Sequence, residues 1–298
     1  MRVIITGASG LLGRAVYKAF YGHEVIGCAN SRATDGLRKV NLLDNSALES
    51  LFEEVKPHVI VHCAAERRPD IAEKNRERTE ELNVQVPGRI ANLCIKYNAM
   101  LIYISTDYVF DGKNPPYDVD DVPNPLNYYG QTKRAGELSV QQNLPTAVIL
   151  RVPILYGNAE YPDESAVNTL VEVVKQSTPS SPIEMDNYAV RYPTHVEDIA
   201  RVIKDIATKS IEEGKSIQGI LHFTAEEKFT KFEMCQIFAK ILGISANLRP
   251  SIPDLNNPSV VSRPHDAHLS TRKLKELGIS TSHMKFEDWW TRYLTRRK

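Results

Sequence analysis

Cysteine, unbalanced charge and long apolar runs are all scarce in this 298-residue chain, and each scarcity excludes something. The four cysteines, Cys28, Cys63, Cys94 and Cys235, lie far apart and form no Cys-x-x-Cys pair with metal or redox spacing, the pattern of free thiols in a reducing compartment. Lysine plus arginine (37) equals aspartate plus glutamate (37), so there is no broad basic field to hold a nucleic-acid backbone or an anionic membrane. Small, locally steered ligands are the better expectation. No apolar run approaches the ~20 residues that cross a bilayer as a helix. Met1-Arg2 lead straight into Val3-Ile4-Ile5 without space for a signal peptide, so a soluble, cytosolic protein is expected. Internal repeats, low-complexity tracts and obvious linkers between independent domains are missing as well.

What is present is a hydrophobic content of 42%, ample for one large core or two smaller ones. The β-branched run Val3-Ile4-Ile5-Thr6 is stopped by Gly7, and 11–20 then shows helical apolar spacing, so the chain opens strand, turn, helix. Apolar runs follow at 24–28, 58–62, 100–104 and 146–150, separated by helical patterns around 46–55, 71–97 and 128–142. Near-continuous apolar strands alternating with helices predict an α/β fold, a doubly wound parallel sheet of the Rossmann kind. From about Arg151 the punctuation changes, with prolines crowding 153–193 and 250–264. Helical patterns recur at 163–176, 196–208 and 231–242, with one apolar run at 219–223 between them. The expected division is a dinucleotide-binding domain over 1–152 and a smaller C-terminal substrate or partner lobe over 153–298, with segments that return to the sheet.

The stretch Gly7-Ala8-Ser9-Gly10-Leu11-Leu12-Gly13 puts a tight turn, a close backbone approach and a helix start where bare N–H groups and the helix dipole favour a pyrophosphate. Glycines also simply end strands, but their place after the first strand and before an amphipathic helix favours a nicotinamide dinucleotide. Which one depends on the end of the second strand, which reads Cys28-Ala29-Asn30-Ser31-Arg32. With no carboxylate there to accept a ribose hydroxyl, and with Arg32 and Ser31 able to hold a 2′-phosphate, NADP is favoured. Asp35 speaks for the other coenzyme if the strand runs longer. Asp44 and Leu43 either meet the adenine edge or, for Asp44, cap a helix before Ser46. Cys63, Ala64 and Ala65 follow the strand at 58–62, where small side chains let a cofactor lie close to the backbone.

Tyr129 and Lys133 stand four residues apart, on one helix face. A free tyrosine titrates near ~10, so a phenol is useful at neutral pH only if nearby positive charge, from Lys133 and an oxidised nicotinamide, stabilises its phenolate. Lys133 also suits the nicotinamide ribose hydroxyls. The run 105–112 leaves the carboxyl end of the strand at 100–104, where open α/β sheets bind ligands, so Thr106 or Ser105 is placed to donate to a substrate oxygen. His195 and Asp198 are weaker candidates for substrate contact. His62 reads as a satisfied core histidine, and Trp289, Trp290 and Tyr293 have the spacing of a core helix.

These motifs together resemble the extended short-chain dehydrogenase/reductase superfamily, and within it the dTDP-4-dehydrorhamnose reductase-like branch. The resemblance rests on the three glycines, on Ser105-Thr106-Asp107-Tyr108-Val109-Phe110-Asp111-Gly112, on Tyr129/Lys133, and on Arg151-Val152-Pro153-Ile154-Leu155-Tyr156-Gly157 and 191–198. It implies Thr106, Tyr129 and Lys133 as a catalytic triad, a reduced nicotinamide cofactor, and Pro153 with Ser9, Leu11 and Leu12 among the cofactor contacts. Within that branch, 58–70, 10–16 and 41–44 look more like the regulatory beta subunits of methionine adenosyltransferase than like bacterial sugar reductases. That likeness implies an NADP-loaded protein docked on a methionine adenosyltransferase catalytic subunit. The alternative it leaves open is an NADPH-dependent reductase of a nucleotide-linked 4-keto sugar. The resemblance also implies an apolar C-terminal tail as a partner anchor, which 289–298 does not match, so docking by that route is not expected.

Overall fold

A computed structural model describes residues 1–33, 36–178, 182–254 and 261–295, which leaves Asp35 and the basic end Arg296, Arg297 and Lys298 outside the described residues. The first half runs β1 (Arg2–Thr6), α1 (Leu11–Ala19), β2 (Glu24–Ala29), β3 (Arg38–Lys39), α2 (Asn45–Val55), β4 (Val59–His62), α3 (Pro69–Lys74), α4 (Arg76–Glu80), α5 (Val86–Tyr97), β5 (Met100–Thr106), α6 (Tyr128–Asn143) and β6 (Val148–Val152). The second half adds β7 (Leu155–Tyr156), α7 (Asn168–Lys175), β8 (Ile183–Asp186), β9 (Thr194–His195), α8 (Val196–Ile211), β10 (Gly219–His222), α9 (Lys231–Leu242), β11 (Leu248–Ser251), α10 (Arg272–Glu276) and α11 (Phe286–Thr295).

Seven strands pair in the order β10-β6-β5-β4-β1-β2-β3, all parallel. The chain goes from β1 outward to β2 and β3, then returns to β4 on the other side of β1. That reversal opens a crevice beyond the carboxyl ends of β1 and β4, the place where such sheets bind ligands. Both faces are covered, which is why the strands read as continuous apolar runs. Val3, Ile5, Val59 and Val61 pack with Val16 of α1 and Ile199 and Ile203 of α8 on one face. Ile4, Ile60, Leu101 and Ile149 pack with Leu51 of α2 and Ile90 of α5 on the other. A separate core around Tyr156, Val171, Phe238 and Trp290 joins α7, α9 and α11.

The helical pattern around 71–97 is realised in several pieces rather than one helix. Asn75 sits at φ −124° between α3 and α4, and a π-helical turn, Glu81–Gln85, precedes α5. Pro87 supplies one reason, since it has no N–H to donate back to the preceding turn. The freed Asn83 carbonyl instead accepts from the Tyr103 hydroxyl at 3.4 Å. The Asn83 side chain turns away to hold the loop after β4, accepting from Glu66 N (2.9 Å) and donating to Glu66 O (3.0 Å). The pattern at 163–176 likewise resolves into a short 3-10 turn, Pro162–Glu164, and then α7. Strand β5 runs to Thr106, so Ser105 and Thr106 end the strand rather than follow it. Among the described residues, no helix is long and apolar enough to cross a membrane.

Candidate functional site

The glycine-rich turn fits a phosphate bridge by shape. Gly7 adopts φ +68°, and a Cβ there would sit 2.9 Å from the Ala64 backbone nitrogen. At Gly13 a Cβ would lie 2.1 Å from the Gly7 carbonyl oxygen, a distance only glycine avoids. The first turn of α1 begins at Gly10 with no side-chain cap, leaving its N–H groups to face whatever enters the crevice. Gly7, Ser9, Gly10, Leu11, Leu12 and Gly13 all line a cavity of about 500 Å³.

The same cavity takes in most of the other residues singled out from sequence. Ser31 and Arg32 lie at the end of β2, with Leu43 beyond β3, and Cys63, Ala64 and Ala65 follow β4. Thr106, Tyr129, Lys133 and Pro153 line its far end. Asp44 does not line it: the carboxylate accepts from Ser46 N (2.9 Å) and Ala47 N (3.2 Å), so the helix-cap reading is the one realised. His195 and Asp198 are also outside. The imidazole packs between the rings of Tyr156 and Trp289, and Asp198 accepts from Met284 N at 2.7 Å. Asn83, Arg78 and Glu164 bear on the site without having been picked out from sequence; Arg78 and Glu164 line the cavity, as does Arg191, the first residue of the 191–198 motif. Asn83, Arg78 and Glu164 lie outside the motifs, and only the fold brings them there.

Asn127 caps α6 by accepting from Gly130 N at 2.9 Å, which starts the helix so that Tyr129 and Lys133 face the carboxyl end of β5. Burial pushes the Tyr129 phenol well above its ordinary range, only partly offset by the neighbouring Thr106 hydroxyl. The phenol therefore stays protonated at neutral pH. The Tyr-x-x-x-Lys spacing predicts the Lys133 ammonium against this phenol, whereas the structure directs it elsewhere. Lys133 Nζ donates to the Tyr103 hydroxyl (2.6 Å) and the Ile104 carbonyl (2.7 Å) and lies 4.0 Å from the centre of the Tyr103 ring. A buried ammonium needs immediate acceptors, and β5 supplies them. Burial still lowers Lys133 to about 7, with the carboxylate of Glu137 opposing the fall. Thr106 Oγ1 accepts from Tyr108 N (3.2 Å) and donates to Asp107 at 3.0 Å. Burial raises that carboxyl to about 7, against the Thr106 hydrogen bond.

Behind this trio lies a buried ion pair that the sequence did not announce. Glu137, one turn beyond Lys133, accepts from Arg151 at 2.8 and 2.7 Å, from Arg134 at 2.9 Å and from Ser105 Oγ at 2.6 Å. It fastens α6 to β5 and β6 and so sets where Tyr129 and Lys133 stand. His62 is buried as expected, with Nδ1 2.6 Å from Thr6 Oγ1, but its Nε2 has no hydrogen-bond partner among the described residues. Burial lowers it to about 3, so the ring is neutral.

The RmlD substrate binding domain family matches residues 1–296. The chain belongs to that family. It is 46% identical over 282 residues to methionine adenosyltransferase 2 subunit beta of Bos taurus, covering 93% of this chain and 83% of that one. The Danio rerio subunit is 42% identical, over 96% of this chain and 88% of its own. A dTDP-4-dehydrorhamnose reductase of Mycolicibacterium smegmatis is 29% identical over 97% of this chain and 82% of its own. Among solved structures, dTDP-4-dehydrorhamnose reductase from Bacillus anthracis in complex with NADP superposes with a TM-score of 0.83. It is 26% identical and covers 100% of this chain and 99% of that one.

Proposed function

We propose that this protein binds NADP and acts as a beta-type regulatory subunit of methionine adenosyltransferase, modulating S-adenosylmethionine synthesis in the cytoplasm. The observation that carries the reading is the 46% identity to beta subunits over 93% of the chain. Supporting the coenzyme are the uncapped first turn of α1, the bare glycine turn, and an arginine rather than a carboxylate after β2. The pyrophosphate would lie on the amides from Ser9 to Gly13, a 2′-phosphate beside Ser31 and Arg32, and the adenine near Leu43. Cys63, Ala64 and Ala65 leave room for the backbone approach, and Lys133 and Pro153 flank the nicotinamide end. We assign 1–152 to coenzyme binding and 153–298 to substrate or partner contact.

The deciding experiment is co-purification with a methionine adenosyltransferase catalytic subunit, expected to give a stable complex at micromolar concentration. Absence of any complex there removes the regulatory reading.

A second reading is favoured by a specific observation: Thr106, Tyr129 and Lys133 share the cavity with Arg67 and Arg191, a set suited to a nucleotide-linked 4-keto sugar. NADPH supplies a hydride when bound. The protonated Tyr129 phenol delivers a proton to the substrate oxygen, which Thr106 holds, and the Arg67 and Arg191 guanidiniums hold the diphosphate. Oxidation of NADPH by dTDP-4-dehydrorhamnose tests it, and Tyr129→Phe is expected to abolish that turnover while leaving coenzyme affinity nearly unchanged.

A further inference from the structure

The segment 158–165 returns from the C-terminal half and is tied to α1 and to two of the loops that form the coenzyme crevice. Asn158 O accepts from Arg14 on α1 (3.2 Å), Asp163 O accepts from Arg67 after β4 (3.3 Å), and the Tyr161 hydroxyl accepts from Arg32 after β2 (2.6 Å). At its centre is Glu164, whose side chain is only 2% exposed although it lines the coenzyme cavity. It accepts from both ends of the Arg14 guanidinium, at 2.7 and 2.6 Å, and from Arg32 at 3.4 Å. Burial pushes this carboxyl up, but the hydrogen bonds from Arg14 and from Glu160 N more than offset it, so Glu164 is ionised at neutral pH. Arg14 is spoken for a second time, donating to Ser9 O inside the glycine turn at 2.7 Å. Glu160 adds a more exposed carboxylate, 3.4 Å from Arg14 and 3.9 Å from Arg32.

Two guanidiniums that would otherwise give the crevice a strong positive potential are thus already paired. One of them, Arg32, is the group that distinguishes a 2′-phosphate from a ribose hydroxyl. We infer that Glu164 is a specificity-determining residue acting against the 2′-phosphate. Its carboxylate competes for Arg32 and repels a dianion placed beside it, so the protein prefers NADP over NAD less than its arginines alone would dictate. The inference rests on the proposed dinucleotide site and fixes which residue tunes that site.

Calorimetric titration of NADP and NAD into wild type, Glu164→Gln, Arg32→Gln and the double variant tests it. Glu164→Gln is expected to raise the NADP over NAD preference roughly tenfold, the scale of removing one charge next to a partly buried phosphate. The gain should vanish in the Arg32→Gln background. Glu164→Asp keeps the charge but draws it back from the longer Arg32 contact. It is expected to raise the preference about threefold, which keeps the question answerable if the glutamine variant does not fold. A preference that stays level or falls in both Glu164 variants overturns the inference. Wild-type protein that binds neither nucleotide overturns the coenzyme reading itself, so the two failures are separable.

Discussion

At the scale of single residues, the site is set by what burial does to ionisable groups. Lys133 is 2% exposed and titrates at about 7 in the folded chain, far below an ordinary lysine. Below that value both folded and unfolded chains carry the proton, and the full cost of the buried charge is present. Between it and the ordinary lysine range, only the unfolded chain keeps the proton, so stability must rise with pH across that window, by at most about 1.4 kcal/mol per pH unit. Urea unfolding of wild type and Lys133→Met from pH 6 to pH 9 reads this difference. Wild type should gain on the variant as pH rises, and parallel curves would mean that the ammonium stays charged. The glycine turn was legible at this scale, because the shape of a phosphate loop demands residues without side chains at fixed spacing. The partners of Lys133 were not. Nothing in a Tyr-x-x-x-Lys spacing says that Tyr103 and the Ile104 carbonyl stand closer to the ammonium than the phenol does.

Helices and strands hold these groups through caps and clamps. Asp44 closes the first turn of α2 through two backbone amides. Asp44→Ala is therefore expected to lower the urea midpoint of unfolding through loss of the cap, with coenzyme affinity unchanged. A loss of affinity in titration would restore the adenine-edge role. Glu137 is the clamp of α6, fully buried with Arg151. Glu137→Ala leaves that guanidinium without its carboxylate, so a loss of about 3–5 kcal/mol is expected in chemical unfolding. Periodicity found the amphipathic helices well, α9 over its whole length at 231–242. It failed at 71–97, where the apolar spacing carries on through a break made by Asn75 and a π turn. There the ladder is interrupted by Pro87 and by the pull of Asn83 on Glu66, a tertiary contact that local pattern does not record.

For the molecule as a whole, the parallel sheet was readable because strands buried on both faces must be apolar throughout. The C-terminal half was less so: its two-stranded pieces β7–β9 and β8–β11 are two to four residues long, too short to carry a period. The two halves are nonetheless built into each other. Strand β10 extends the main sheet beside β6, and α8 covers the same face as α1. The core under α1 and α8 draws on both halves, whereas the core around Tyr156 and Trp290 draws on the C-terminal half alone.

The aromatic cluster at the end of the chain gives this architecture an optical consequence. Both tryptophans of the protein, Trp289 and Trp290, are neighbours on α11, and Trp290 is fully buried against Phe238 and Tyr156. Intrinsic indole emission therefore reports on the C-terminal half alone, whereas far-ultraviolet dichroism is dominated by the helices and sheet of the whole chain. Because the sheet needs β10 and α8, the two signals are expected to share one denaturation midpoint. An emission change that precedes the loss of dichroism would reveal a lobe able to melt while the coenzyme crevice stands.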